Sequence, residues 1–337
     1  MVGVAPYLDI QVEDEDSLTE RFDRKQEAGV IDIAVVRTPR ISNFTDFNPF
    51  ESIPGVSLRY VKHPRDLHSP DMIILPGTKN TMGDLIWMRE SGMEAAVLKE
   101  ASRGKLIFGV CGGYQMLGRT ISDPHGVENE NSLREPLYPA HCEAISHEPD
   151  TIAVERIKRD GALPLRGMEL IDTDTTLMPE KMRTQTRGKF ENVTGIFSTL
   201  SGLEFSGYEI HMGKTTVSTG EHQTPLVQLA DGRTDGVQRM EKGSEAPGVY
   251  GSYVHGIFDD GDIAVRIVQA LADKKGCHGN RRLAVIIMHL RNSSMTSSHR
   301  DGGSIWIWSM YTLFCRRAGF PLDFYNVIDP DTNQDNG

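Results

Sequence analysis

The stretch Lys105-Leu-Ile-Phe-Gly-Val-Cys-Gly-Gly-Tyr-Gln-Met-Leu-Gly118 constrains this chain more than any other. Leu106 to Val110 has the length and composition of a buried strand. Cys111 follows directly, then two glycines, then a segment able to start a helix. A strand that passes into a helix through one cysteine holds that side chain out at the strand end, and so tight a turn needs small neighbours and the backbone freedom of glycine. The backbone N–H after the cysteine points to where an oxyanion would form, and a helix N-terminus favours a thiolate. A buried structural cysteine would not call for Gly109, Gly112 and Gly113 around it, so Cys111 is read as a nucleophile.

Upstream, the pattern alternates. Residues 1–28 read as a linker segment, with a polar helical stretch from Leu18 to Gln26. Ile31–Val36, Val56–Val61 and Met72–Leu75 read as strands, and Thr38–Asp46 as a loop leading into a short helix. The spacing of Leu85, Ile86, Met93, Ala96 and Val97 predicts one helix from Met82 to Ser102. Strands alternating with helices imply an α/β fold on a mostly parallel sheet, with function at the carboxyl ends of its strands. Pro76-Gly77 and Cys111 both lie at such ends.

Residues 127–162 carry no clear period and read as an insertion. From Gly167 the pattern turns β-rich, with expected strands at Met168–Asp172, Thr194–Phe197, Phe205–Met212, Thr224–Leu229 and Gly248–Val254, then a helix from Asp262 to Asp273. That helix completes a domain spanning 29–275. Residues 276–337 hold two apolar runs, Leu283–Met288 and Ile305–Phe314, but no motif, and read as a divergent tail.

A thiol nucleophile needs a base, and histidine is the usual one near neutral pH. Of eleven histidines, His255 in Gly251-Ser-Tyr-Val-His-Gly-Ile-Phe258 and His211 in Gly207-Tyr-Glu-Ile-His-Met-Gly213 stand at strand–turn junctions. Alternation puts Glu209 and His211 on one face of their strand, as a working pair or a simple hydrogen bond. The net charge of −11 argues against a general nucleic-acid-binding surface. No apolar stretch is long enough to span a membrane, and the N-terminus lacks a signal-peptide pattern. The four cysteines are scattered, with no CxxC pair and no HExxH pattern, so no metal site is expected. The setting reads as reducing and cytoplasmic. Neither GxxxxGK[ST] nor a GxGxxG after a strand is present, so neither ATP nor a dinucleotide is expected to bind here by those devices.

Taken together, six stretches resemble the glutamine amidotransferase domain of the cobyric acid synthase family, within the class I (triad-type) superfamily. They are Val2–Tyr7, Pro39–Phe47, Leu75–Thr81, Gly109–Gly118, Gly207–Gly213 and Gly251–Phe258, and the resemblance covers roughly residues 1–275. It implies a flavodoxin-like sheet flanked by helices. It implies that Cys111 attacks the side-chain amide of glutamine, giving a glutamyl thioester and ammonia, with His255 as its base. It further implies an oxyanion hole from the N–H groups of Gly112 and the Gly77 loop, and contact between Gln115 and the bound glutamine. Most triad-type enzymes carry a Glu two residues after the His. Ile257 stands there instead, which fits the Cys–His dyad of this branch and leaves open whether Glu209 or another carboxylate orients His255.

In the family, ammonia passes to a separate ATP- and magnesium-dependent synthetase domain that amidates a corrin substrate, cobyrinic acid a,c-diamide, on the way to cobalamin. Met1 falls near the junction with that domain, so the chain is read as the glutaminase half only, with no cofactor of its own. Three other readings are weighed beside it: the glutaminase subunit of the lipid II amidotransferase, a cysteine peptidase on the same fold, and a non-catalytic remnant that binds a synthetase partner.

Overall fold

A computed structural model of the chain describes residues 29–128, 164–218, 223–240, 247–260 and 262–276. The leading segment 1–28, the expected insertion beyond Glu128, and the tail after Gly276 with its two apolar runs lie outside the described residues.

The first part alternates as its apolar runs require. It comprises β1 (Ile31–Val36), a 3-10 turn (Phe44–Phe47) running into α1 (Asn48–Glu51), β2 (Val56–Val61), α2 (Pro64–Leu67) and β3 (Met72–Leu75). Then come α3 (Thr81–Glu90), α4 (Met93–Ala101), β4 (Leu106–Val110) and α5 (Gly112–Leu117). β3 and β4 are buried along their whole length, which is why they read as continuous apolar runs rather than as alternation. The later strands are β5 (Thr120–Ser122), β6 (Leu165–Arg166), β7 (Thr173–Phe190), β8 (Glu204–Val217), β9 (Gln223–Thr224), β10 (Val227–Leu229), β11 (Thr234–Asp235), β12 (Val237–Met240) and β13 (Pro247–Ser252). Helix α6 (Ile263–Lys274) follows them.

One sheet has the order β2-β1-β3-β4-β13-β12-β9. Its first five strands pair in parallel, and β12 and β9 extend it antiparallel. Order 2-1-3-4 with a further parallel strand is the flavodoxin-like arrangement, in which ligands sit outside the carboxyl ends of the strands. The expected α/β class therefore holds. A second sheet, β11-β10-β7-β5-β6, carries β8 against β7.

Four sequence expectations need correction. The single helix expected over 82–102 is two helices, broken at Gly92, which takes φ +78° as the N-cap of α4. Met168–Asp172 is not a strand. The N–H groups of Met168, Glu169, Leu170 and Ile171 bond the carbonyls of Met116, Gly118 and Leu117, satisfying the last turn of α5. Thr194–Phe197 falls at a 3-10 turn, Gly195–Leu200. The long strand β7 was not anticipated: its inward positions begin Thr173, Thr175, Leu177, and Pro179 to Gln185 are all exposed, so its sequence lacks an apolar period.

The core reaches up to the His255 turn through Phe258. Its ring lies 5.0 Å from Phe108 of β4, 5.1 Å from Phe50 of α1 and 6.5 Å from Phe47, centroid to centroid. The turn after β13 is thus clamped to β4 and to the segment after β1 by one buried aromatic cluster.

Candidate active site

Cys111 leaves the end of β4 and caps α5, with φ +50° and ψ −105°. Its N–H donates to Ser252 O at 2.8 Å, so β13 holds the nucleophile's backbone as well as leading to His255. The flanking glycines serve close approach more than backbone freedom. A Cβ on Gly113 would overlap the Leu75 carbonyl, and one on Gly109 would stand 2.7 Å from Tyr114 N and Leu117 Cδ1. Cys111 itself holds the left-handed angle. It is 7 % exposed, with its sulfur 3.8 Å from Ile210 O of β8.

His255 follows β13 and is 1 % exposed. A two-bond bridge stitches it to β8: Tyr208 N donates to His255 O at 3.1 Å and His255 N to Tyr208 O at 2.9 Å. The Tyr208 ring stacks on the imidazole at 5.2 Å and 22°. His255 Nδ1 lies 2.7 Å from Asp46 Oδ2, and Gly256 N donates to Asp46 Oδ1 at 3.0 Å. Burial works against an imidazolium here, but the interactions of the ring with Asp46 and with the Cys111 sulfur outweigh it. The imidazole is pushed up to about 10. Cys111 and His255, expected as a pair, are brought together, and the expected dyad has a carboxylate beside it.

That carboxylate is not Glu209. Glu209 is buried and spent on Arg233, with Nη1–Oε1 at 3.2 Å and Nη2–Oε2 at 2.6 Å. Burial alone would favour its neutral form, yet the nearby His211 and the bonds and charge of Arg233 keep its carboxyl below the usual range. His211 Nε2 stands 3.6 Å from Glu209, and Nδ1 lies 2.8 Å from Gly213 O. The His211 ring stacks on Tyr253 at 3.8 Å, so His211 and Glu209 do share a face but brace the β8 side of the site. Neither bonds the His255 ring, whose Nδ1 is occupied by Asp46.

Gly77 and Gly112 converge. A Cβ on Gly77 would come within 3.0 Å of His255 Cε1, and one on Gly112 within 2.6 Å of Thr78 Cγ2. The β3 loop therefore packs directly on the start of α5. Ser42 N donates to Gly77 O at 2.9 Å, and Ile41 bridges Thr78, so the loop after β1 braces it. Gln115 is buried, accepting from Thr81 Oγ1 at 2.9 Å and donating to Tyr253 OH at 3.2 Å. Those two partners set its carboxamide.

Sequence reasoning missed Asp46, Tyr208 and Arg233. Asp46 lay in a stretch noted for its resemblance, and an acidic residue after β1 at the carboxyl end of a parallel sheet was the available signal. Its partner is 209 positions away, and only the strand order brings them together. Among the described residues no cluster of three or more His, Cys, Asp or Glu could hold a metal ion, and no helix is long and apolar enough to cross a membrane.

The profile of the CobB/CobQ-like glutamine amidotransferase domain matches residues 32–137 and 151–263. The chain is 44 % identical over 281 residues to a cobyric acid synthase of Ruminiclostridium cellulolyticum, covering 82 % of this chain and 47 % of that protein. It is 42 % identical over 279 residues to a cobyric acid synthase of Lachnoclostridium phytofermentans, covering 82 % of this chain and 48 % of that protein. The chain thus spans about half the length of these curated relatives. Among solved structures, PurLQS of Thermotoga maritima is similar at a TM-score of 0.47 and 17 % identity, over 72 % of this chain and 98 % of that one. On its sequence match the chain belongs to the CobB/CobQ-like glutamine amidotransferase domain family and is a glutamine amidotransferase.

Proposed function

We propose that this chain is the glutamine-hydrolysing, ammonia-supplying half of a cobyric acid synthase-type enzyme. The observation that carries the reading is the convergence of Cys111, His255 and the Gly77 and Gly112 backbones at the carboxyl ends of β3, β4 and β13.

The Cys111 sulfur attacks the glutamine side-chain carbonyl carbon, and the carbonyl oxygen takes the electron pair as an oxyanion. The N–H groups of Gly112 and the Gly77 loop receive that charge. Collapse of the intermediate breaks the C–N bond, and the His255 proton goes to the departing nitrogen, which leaves as ammonia. His255 then takes a proton from water, the hydroxide attacks the thioester, and glutamate leaves with the thiol restored. Gln115, set by Thr81 and Tyr253, is the residue assigned to contact the bound glutamine.

The acceptor half supplies ATP and magnesium chemistry and amidates corrin carboxylates, with cobyrinic acid a,c-diamide entering. The relatives' name, cobyric acid synthase, supports the corrin acceptor, and their double length supports a separate acceptor half. The test is labelling of the purified chain with a glutamine-analogue electrophile, read by peptide mass spectrometry. We expect modification at Cys111, blocked by excess glutamine and absent in Cys111→Ala. Labelling elsewhere, or labelling indifferent to glutamine, overturns the assignment. Ammonia transfer to cobyrinic acid a,c-diamide with an added synthetase half tests the acceptor, and transfer to lipid II glutamate instead would replace it.

A further inference from the structure

We propose, resting on that reading of Cys111 and His255, that Asp46 is the positioning residue of the site: its carboxylate holds the Nδ1 proton of His255, so that Nε2 is the nitrogen presented to the sulfur. This makes a Cys111–His255–Asp46 triad whose acid comes from the loop after the first strand instead of the position two residues past the histidine.

Four observations converge. First, both carboxylate oxygens are committed, one to His255 Nδ1 at 2.7 Å and the other to Gly256 N at 3.0 Å, so the group is fixed in two directions at the turn it serves. Second, Asp46 is 3 % exposed, and a buried carboxylate requires a paired charge or donors. Its ion pair among the described residues is with His255. Third, the alternatives are excluded by position. Ile257 lies fully buried in the core, and Glu209 is engaged by Arg233. Fourth, the carrier of Asp46 is braced for placement. Asn43 takes a left-handed φ of +53°, its carbonyl accepts from Asp46 N at 3.1 Å, and its side chain donates to Tyr208 OH at 2.7 Å. Tyr208 in turn stacks on the imidazole, so one loop fixes the ring both at Nδ1 and through its face. The same loop pairs with Gly77 and Thr78.

The groups facing the imidazole are therefore Asp46 from the 3-10 turn, Cys111 from β4 and Tyr208 from β8, while the Asp259 carboxylate lies beside Gly256 in the same turn. A carboxylate on Nδ1 selects the tautomer and stabilises the imidazolium that forms during transfer. Asparagine in its place can satisfy the same space while presenting the wrong donor.

The test uses the full chain and Asp46→Asn. We expect kcat for glutamine hydrolysis to fall about 100- to 10,000-fold with KM for glutamine changed only a few-fold. The alkaline limb of kcat/KM should shift to lower pH, because the variant holds the imidazolium less well. A folded variant with parental kcat and an unshifted limb overturns the proposal. A second readout needs neither Asp46→Asn nor turnover. In the parent chain with nitrogen-15-labelled histidine, a low-field, exchange-protected Nδ1 proton should appear and vanish in His255→Gln. Its absence from the parent also overturns the role of Asp46. A parent chain that shows this proton but neither labels at Cys111 nor hydrolyses glutamine fails the functional reading and leaves the Asp46 geometry standing.

Discussion

At Cys111 a single residue carries the backbone cost of the elbow. Its angles lie outside the regions that L-residues favour, a cost of order 1–3 kcal/mol that the surrounding structure must hold. The glycines beside it do something different. Gly113 lets α5 sit directly on the Leu75 carbonyl, and a methyl there would meet backbone that cannot move aside like a side chain. Gly113→Ala should therefore destabilise by about 3 kcal/mol or more, seen as a lower urea midpoint at constant slope. An unchanged midpoint would mean that α5 shifts freely. The same contact explains why the nucleophile is placed reproducibly. Its strand, its helix and the adjoining loop are in van der Waals contact, with no room for an alternative turn.

At the scale of elements, the site is assembled by the ends of four strands, and the turn after β13 matters most. It carries His255 at one end and Phe258 at the other, and Phe258 anchors the turn to Phe108 and Phe50. Phe258→Ala should cost about 3–5 kcal/mol of stability. It should also slow glutamine-analogue labelling of Cys111 under conditions where the variant is still folded, because the imidazole loses its mooring. Parental labelling with reduced stability would show that Asp46 and Tyr208 suffice to hold the ring. The β7–β8 pair works from the other side. β8 contributes Tyr208 over the imidazole and Ile210 O near the sulfur, while Arg233 neutralises the buried Glu209 carboxylate between them. β7 shifts register between Leu177 and Met182, opposite Gly213 and His211. The local bend lies where β8 crosses the site, as bulges beside functional residues do.

At the scale of the whole molecule, the His255 pair links the site to global stability. The imidazole is raised from its ordinary value to about 10, so its contribution is fully present below about pH 6.5 and is lost as pH rises through about 10. The stability difference between the parent and His255→Gln should thus shrink between those values, by an amount on the order of a few kcal/mol. Urea denaturation across that range checks the sign, and a difference that grows with pH would contradict it. The sequence made the parallel half of the fold legible, because β3 and β4 are buried along their whole length and spell continuous apolar runs, and β1 departs from that only at Asp32. It also marked Cys111, Gly77 and His255, because each stands where a strand ends in glycine. It did not mark β7, whose buried positions include threonines, nor the break at Gly92, where both flanking segments keep the same helical period. What the sequence by itself determined is local: the strand, the elbow, the base and the glycines that permit close approach. Only the tertiary structure decided which acid serves the base. That choice depends on strand order and loop packing, which bring residues 46 and 255 within hydrogen-bond distance and turn Glu209 toward Arg233.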